Sequence, residues 1–376
     1  MATRRRRATA ARLRAAVARN AVQPELQNAG LATLGDLLRV THAIRMLPAL
    51  PRGTAAFLAE LGAALPLTLT RWVHIERHWW PASDRADAIF AAEASAASLL
   101  GDVLVALARA LPATSDARAL HATIARWHEM SVEMPRQVGR SWMEFDAPDS
   151  PCRRLPGFFV DAPSKACVSP DPLCFALARM ISTDSPARLA RTWTKIQAAA
   201  RSASIAALGA LGREADTASV RICVSGESSA IISGGCDTDT AAQIGRQLRA
   251  ICMTAEQTAP VTGLVHLDVS PNRIRSVGIE LPLQKDAQLR GRLLERPLLS
   301  GLVAAGLCPA AEFDCACAFA GAVRCGAGGT RVGVRRLNHI KLVFQDGELA
   351  AVKGYYAVGL LSARLSTSAR GDRSIE

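Results

Sequence analysis

Residues 338–360 read NHIKLVFQDGELAAVKGYYAVGL, and the reading of this stretch decides the fold. Period-two alternation runs through both halves with a glycine-containing turn between them, the pattern of a β-hairpin. In the first half His339, Lys341 and Val343 share one face, and Ile340, Leu342 and Phe344 share the other. In the second half Lys353, Tyr355 and Ala357 lie opposite Val352, Tyr356 and Val358. One side of the ribbon is apolar. The other carries two ammoniums, an imidazole and a phenol, and a row of cations inside a sheet points to an anion site. The competing reading is an ordinary half-solvated hairpin whose lysines keep it soluble.

The turn decides whether the two polar rows meet. A two-residue Asp346-Gly347 loop pairs Lys341 with Val352 and sends the two lysines to opposite faces. A three-residue loop, Gln345-Asp346-Gly347, with Gly347 in the left-handed position closing a bulge, restores agreement. It pairs His339 with Lys353 and keeps Lys341 and Tyr355 on one face. This second register is expected, because a slip of one residue mixes charged and apolar faces.

Working outward, 376 residues with 49% hydrophobic content form a globular chain large enough for one big domain or two. The net charge of +12 permits nucleic acid, a membrane surface or a phosphorylated small molecule as partner and selects none of them. Arginine and alanine abundance also fits a GC-rich genome. The ten cysteines are scattered and mostly flanked by apolar residues. They read as reduced thiols, so a cytoplasmic location is expected. Cys308, Cys315, Cys317 and Cys325 cluster without a C-x-x-C pair, so they read as small buried hydrophobes rather than as a zinc site. No metal and no cofactor are expected. No stretch of about 18 uncharged apolar residues occurs, so no membrane span is expected.

Residues 1–20 are arginine- and alanine-rich and free of acids, a basic flexible arm running into a helix. Residues 21–140 read as a helical region, with helices beginning at Leu34, spanning Ala55 to Leu65, Leu99 to Leu111 and Leu120 to Met130. Within it, Trp72 to Trp80 reads as aromatics packed between helices. His74 and His78, four apart around Glu76, look like half of a helical metal motif but lack the H-E-x-x-H order.

The texture changes after Pro135. Ser141-Trp142-Met143-Glu144-Phe145-Asp146 reads as a strand, followed by a short strand over Gly157 to Val160. Glu144 sits mid-strand among aromatics; such an acid faces solvent or works as a base or acceptor, since burial unpaired is unfavourable. Residues 171–213 read as helical. Ser219 to Ser225 is a strand with Arg221, Cys223 and Ser225 on one face. Gly234-Gly235 lacks dinucleotide-loop spacing and no P-loop occurs. Thr238 to Met253 is a helix. Leu264 to Ser270 and Arg273 to Leu283 form a second hairpin, with His266, Asp268 and Ser270 on one face and Glu280 near its end. Leu289 to Leu307 is helical, broken at Pro297 and stopped by Gly306. The tail 362–376 reads as disordered. The fold class is therefore α+β: a helical N-terminal region, then, over 141–361, an antiparallel sheet or barrel of hairpins separated by helix pairs, with about eight strands legible.

Hairpins separated by helix pairs, with polar groups on one strand face, resemble the ABBA prenyltransferases over residues 141–360. That resemblance implies a ten-stranded antiparallel barrel ringed by helices, its lumen holding an isoprenyl diphosphate gripped by Lys, Arg and Tyr on alternating strand positions. Lys353-Gly354-Tyr355 matches the family's Lys-x-Tyr pair and His339-Ile340-Lys341 its cation-x-Lys pair, with Arg221 a further diphosphate ligand. Glu144 stands where an early-strand Glu positions or deprotonates the acceptor. The activity implied is prenyl transfer from an allylic diphosphate to an aromatic or peptide acceptor, in bacterial specialised metabolism. The alternative is a non-catalytic partner or scaffold protein of a peptide-modifying or biosynthetic assembly. Nucleic acid ranks last as a partner, because no recognition motif follows the basic arm.

Overall fold

Trp72–Trp80 is a β-strand, and the sheet begins there. In the computed structural model the described residues are 31–93, 140–145, 157–161, 185–211, 219–254, 262–283, 288, 296–325 and 331–362, single positions and short gaps within these ranges excepted. The arm 1–20, the helices expected at 99–111 and 120–130, and residues 363–376 of the tail lie outside them.

Three helices come first: α1 (Leu34–Val40), α2 (Ala43–Met46) and α3 (Arg52–Ala64). A capping box starts α1, with the Thr33 hydroxyl accepting from the Asp36 amide and the Asp36 carboxylate accepting from the Thr33 amide. Then come β1 (Trp72–Trp80), β2 (Ala86–Glu93), β3 (Arg140–Phe145), β4 (Gly157–Asp161), α4 (Ser185–Ala199), β5 (Ser204–Leu211) and β6 (Ser219–Glu227). The remainder is α5 (Ser228–Gly235), α6 (Thr238–Thr254), β7 (Thr262–Val269), β8 (Ile274–Pro282), α7 (Arg296–Ala304), α8 (Ala310–Phe319), β9 (Gly321–Cys325), β10 (Arg331–Gln345) and β11 (Glu348–Ser362).

Every pairing is antiparallel. Neighbours follow the chain from β1 to β8, β8 pairs with β10, β10 with β11, and β11 returns to β1 from Trp72↔Gly359 to Trp80↔Val352. Ten strands thus close on themselves, which leaves no open edge in the ring. Strand β9 lies beside the far end of β10, where β8 has ended.

The inward and outward faces separate by chemistry. Val73, Ile75, Phe90, Ile222, Val224, Leu267, Ile279, Ile340, Leu342 and Val358 are buried on the outer face. They share one core with Trp193 and Ile196 of α4, Ile231 of α5, Ile244 of α6, Leu298 and Leu299 of α7 and Phe319 of α8. The thiols of Cys308, Cys315 and Cys325 belong to this core. Inward contacts cross the lumen between strands that are not neighbours: His74 of β1 lies 5.6 Å from Trp142 of β3, and Arg221 of β6 reaches Glu144 of β3.

Three expectations are corrected. Residues 72–80 and 86–93 are strands, not helices. Trp72, His74, Glu76 and His78 share one face against Val73, Ile75, Arg77 and Trp79, so the stretch alternates with period two. Helix was also expected at Ser204–Leu211, which is β5. Pro297 stands in the first turn of α7, which begins at Arg296, where a missing N–H leaves no bond unmade; residues 289–295 of the expected helix lie outside the described residues.

The third concerns the turn. Gln345 pairs with Glu348, so the loop is the two-residue Asp346-Gly347, with both residues at positive φ (+49° and +87°). Parity is restored one step later by a bulge, since Phe344 pairs with Leu349 but Val343 pairs with Ala351. Lys341 therefore faces Lys353, and His339 faces Tyr355. Gln247 of α6 secures the turn, donating to the Gly347 carbonyl (3.1 Å) and accepting from the Leu349 amide (2.9 Å).

Candidate active site in the barrel lumen

All six residues singled out from the sequence lie on inward strand faces. Glu144 comes from β3, Arg221 from β6, His339 and Lys341 from β10, and Lys353 and Tyr355 from β11. Residues that the sequence reading placed elsewhere join them, and three groupings result.

Lys353 donates to Glu76 Oε1 of β1 (2.5 Å), a carboxylate only 1% exposed. Burial raises the Glu76 carboxyl, but Lys353 and His78 override it and hold the group well below the ordinary range. Burial opposes the charge on Lys353, and Glu76 with Glu144 more than restores it. His78 Nε2 lies 3.3 Å from Glu76 and 3.4 Å from Asp87 of β2. Ligand atoms of Glu76, His78 and Asp87 lie within 4.8 Å of one another, a spacing that suits a cation, although the Lys353 ammonium already occupies Glu76. The helical metal half-motif is thereby corrected: His78 joins this cluster, while His74 packs beside Trp142 and His339.

Arg221 makes a bidentate pair with Asp268 of β7 (2.6 and 2.9 Å) and lies 3.6 Å from Glu144. Its guanidinium also sits over the Phe159 ring at 5.5 Å. Ser276 donates to the second Asp268 oxygen at 2.5 Å. Burial works against both charges, yet each partner stabilises the other, so Arg221 is pushed above and Asp268 well below the ordinary value.

The third grouping is a chain of hydrogen bonds. His266 Nε2 lies 2.7 Å from Glu280 Oε1, and His266 Nδ1 lies 3.4 Å from Cys223 Sγ. His339 Nδ1 accepts from the Asn338 amide nitrogen at 2.9 Å, which leaves its proton on Nε2, 3.5 Å from Glu280. The His339 ring stacks on Tyr355 with centroids 4.0 Å apart. Burial pushes His339 down to about 3, so the ring is neutral. Burial and the Glu76 and Glu144 carboxylates push Tyr355 well above 10, so its phenol remains a donor.

Lys341 differs from the other cations. It is 4% exposed, and no hydrogen bond or ion pair reaches its Nζ from any described residue. Its stem crosses Gly278 of β8, where a Cβ would stand 2.4 Å from Lys341 Cε. Burial first, and then the nearby Arg221, push it down to about 8. Around these three cations stand five carboxylates: Glu76, Asp87, Glu144, Asp268 and Glu280 surround Arg221, Lys341 and Lys353.

The fold is similar to those of several solved structures. AnaPT from Neosartorya fischeri matches over 76% of this chain and 77% of its own, at 11% identity and a TM-score of 0.48. The prenyltransferase PriB, in a ternary complex with L-tryptophan and dimethylallyl thiolodiphosphate, matches over 87% and 96%, at 13% identity and 0.44. The 5-dimethylallyltryptophan synthase from Streptomyces coelicolor matches over 88% and 98%, at 12% identity and 0.43. These neighbours are ABBA-type aromatic prenyltransferases. Identities this low concern the fold alone. No protein-family model and no curated protein sequence matches the chain.

Proposed function

We propose that the lumen is an enclosed transfer site that accepts an isoprenyl diphosphate and passes its prenyl group to an aromatic acceptor, either a small molecule or an aromatic side chain of a peptide. One observation carries this reading: Lys341 is a buried ammonium with no counter-ion among the described residues, inside a closed barrel, between two further cations. An unpaired buried charge is unfavourable, and an arriving anion relieves it.

Ionising an allylic diphosphate builds charge on the departing oxygen. Preorganised donors in a water-poor lumen stabilise that charge most when it forms. Lys341 takes the leaving group first. Arg221 and Lys353 turn towards it from Asp268 and Glu76, and the Tyr355 phenol donates. Glu144, beside Arg221, accepts the proton that the acceptor sheds after attack.

A second reading, a non-catalytic barrel, draws on a different observation: Asp268 and Glu76 already neutralise Arg221 and Lys353. Thermal unfolding with pyrophosphate and with dimethylallyl diphosphate separates the two. Ligand binding to the native state raises the melting temperature by mass action. The transfer reading expects a rise in wild type that disappears in Lys341→Met, and prenylated product with indole or phenol acceptors. Absence of any rise at millimolar diphosphate would leave the non-catalytic barrel standing.

A further inference from the structure

Three adjacent strands place a thiol, an imidazole and a carboxylate in series. Cys223 on β6 pairs with His266 on β7, and His266 pairs with Gly278 on β8. Glu280 is the next inward residue of β8, two positions on. With no side chain at Gly278, the His266 ring has room to reach Glu280. The His266 Nε2 to Glu280 Oε1 distance of 2.7 Å settles the tautomer. A carboxylate only accepts, so Nε2 carries the proton and donates. The Nδ1 lone pair then faces Cys223 Sγ at 3.4 Å, and the thiol donates to it. This is a nucleophile held by a base, with the base oriented by a third group, the arrangement that activates cysteine and serine on unrelated folds.

The surroundings add an electrophile's partner. The unpaired Lys341 ammonium lies over Gly278, beside the His266 Cβ. Burial pushes the Cys223 thiol up to about 12, with Arg221 and Lys341 opposing and Glu280 and Asp268 adding to it, so the thiol is protonated at rest and its activation rests on the His266 contact. Burial likewise raises the thiols of Cys308, Cys315 and Cys325, but these sit in the outer core, where Cys308 and Cys315 meet the backbone carbonyls of Pro309 and Met46 (3.6 and 3.2 Å) rather than an imidazole.

We propose that Cys223 is a nucleophile, with His266 as its general base and Glu280 orienting that base, towards a small electrophile whose anionic group Lys341 holds. In the step, Sγ bonds to the electrophilic carbon. The bond from that carbon to its leaving group breaks, and the electron pair departs with the leaving group. The thiol proton passes to His266 Nδ1, giving an imidazolium paired with Glu280. The free thiol and imidazole are both neutral at rest, so the proton moves as the bond forms rather than beforehand. This site stands whether or not a diphosphate binds, since it rests on the Cys223, His266 and Glu280 geometry.

The test is alkylation of the full-length native chain at pH 7 with iodoacetate and, separately, iodoacetamide, with each cysteine followed by peptide mass spectrometry. Here Sγ displaces iodide and the proton goes to His266. Cys223 is expected to react at least about tenfold faster than Cys236 or Cys315. Iodoacetate is expected to outpace iodoacetamide at Cys223 alone, although in free solution the neutral reagent is the faster. Glu280→Gln should slow Cys223 about tenfold or more with the melting temperature retained, and Lys341→Met should abolish the iodoacetate preference. His266→Gln is a further check where it folds. Cys223 reacting no faster than Cys315, or an unchanged rate in Glu280→Gln, overturns the proposal.

Discussion

Lys341 and Lys353 stand directly opposite each other across the β10–β11 ladder, and among the described residues only Lys353 has a carboxylate on its ammonium. Like charges facing across an antiparallel pair repel, so such a pair persists only with compensation. Glu76, arriving from β1, compensates one lysine. The other is buried with no such partner among the described residues.

That asymmetry predicts a pH signature. Lys341 titrates at about 8 in the folded chain against 10.5 in the unfolded one. Between those values the unfolded chain holds a proton that the folded chain has lost, so this group's contribution to stability rises with pH across that window. The full gain is on the order of 3 kcal/mol. Urea unfolding at pH 7.5 and 9.5 should show wild type gaining on Lys341→Met. Pyrophosphate affinity should run the other way, falling as pH rises through about 8. A flat affinity profile would remove Lys341 from the anion site.

Gly278→Ala probes the same lysine from the opposite strand. The added methyl would meet Lys341 Cε at 2.4 Å, and the atom displaced is the far end of a flexible side chain. Folding should survive with a loss of about 1–2 kcal/mol. Pyrophosphate binding should weaken at least about tenfold, as in Lys341→Met. Calorimetric titration reads the second effect. Full binding in a folded Gly278→Ala protein would show that the ammonium's position is unimportant.

Stability outside the lumen rests on Glu312 in the first turn of α8. It is 3% exposed and accepts from Arg77 Nε (2.9 Å), Trp79 Nε1 (3.2 Å) and the Tyr356 hydroxyl (2.9 Å). Removing one partner of a buried ion pair leaves an uncompensated charge. Glu312→Ala should therefore destabilise by about 3–5 kcal/mol. The Arg273–Asp346 pair is exposed on both sides, and Arg273→Ala should change stability by less than about 1 kcal/mol. Urea denaturation of the two variants makes the comparison. Equal effects would contradict the burial argument.

The closing hairpin was readable because its two rows differ so sharply. Lys341, Lys353, His339 and Tyr355 cannot all leave the inward face without dragging Ile340, Leu342 and Val352 off the core. The same alternation gave Glu144 and Arg221 defined strand faces, but only the resemblance to the ABBA prenyltransferases pointed those faces into a lumen. Strand β1 was not, although Val73 and Ile75 alternate with His74, Glu76 and His78. Trp79 and Trp80 blur the pattern at its end, and a neighbourhood rich in helix formers argued for helix. With β1 misread, the counter-ion of Lys353 was invisible. The link from Cys223 through His266 to Glu280 lay on three recognised strands, but it depends on register between strands, which alternation within each one does not reveal.

Register also yields the last prediction. The Asp346-Gly347 turn alone would pair Lys341 with Val352 and turn Lys353 outward. The bulge at Leu349 and Ala350, both facing Phe344, supplies the missing residue of offset. Deleting Ala350 therefore makes the ladder regular and leaves every pair beyond it intact, because Ala351 then follows Leu349 against Val343. The deletion variant should fold, keep its near-ultraviolet circular dichroism and retain its response to pyrophosphate. Ala357 has no such slack: it is held between His74 on β1 and Arg336 on β10. Its deletion would turn Val358 inward and shift every pair beyond it by one, and that chain should not fold. If the Ala350 deletion unfolds while the Ala357 deletion is tolerated, the bulge is not what sets the lysines face to face.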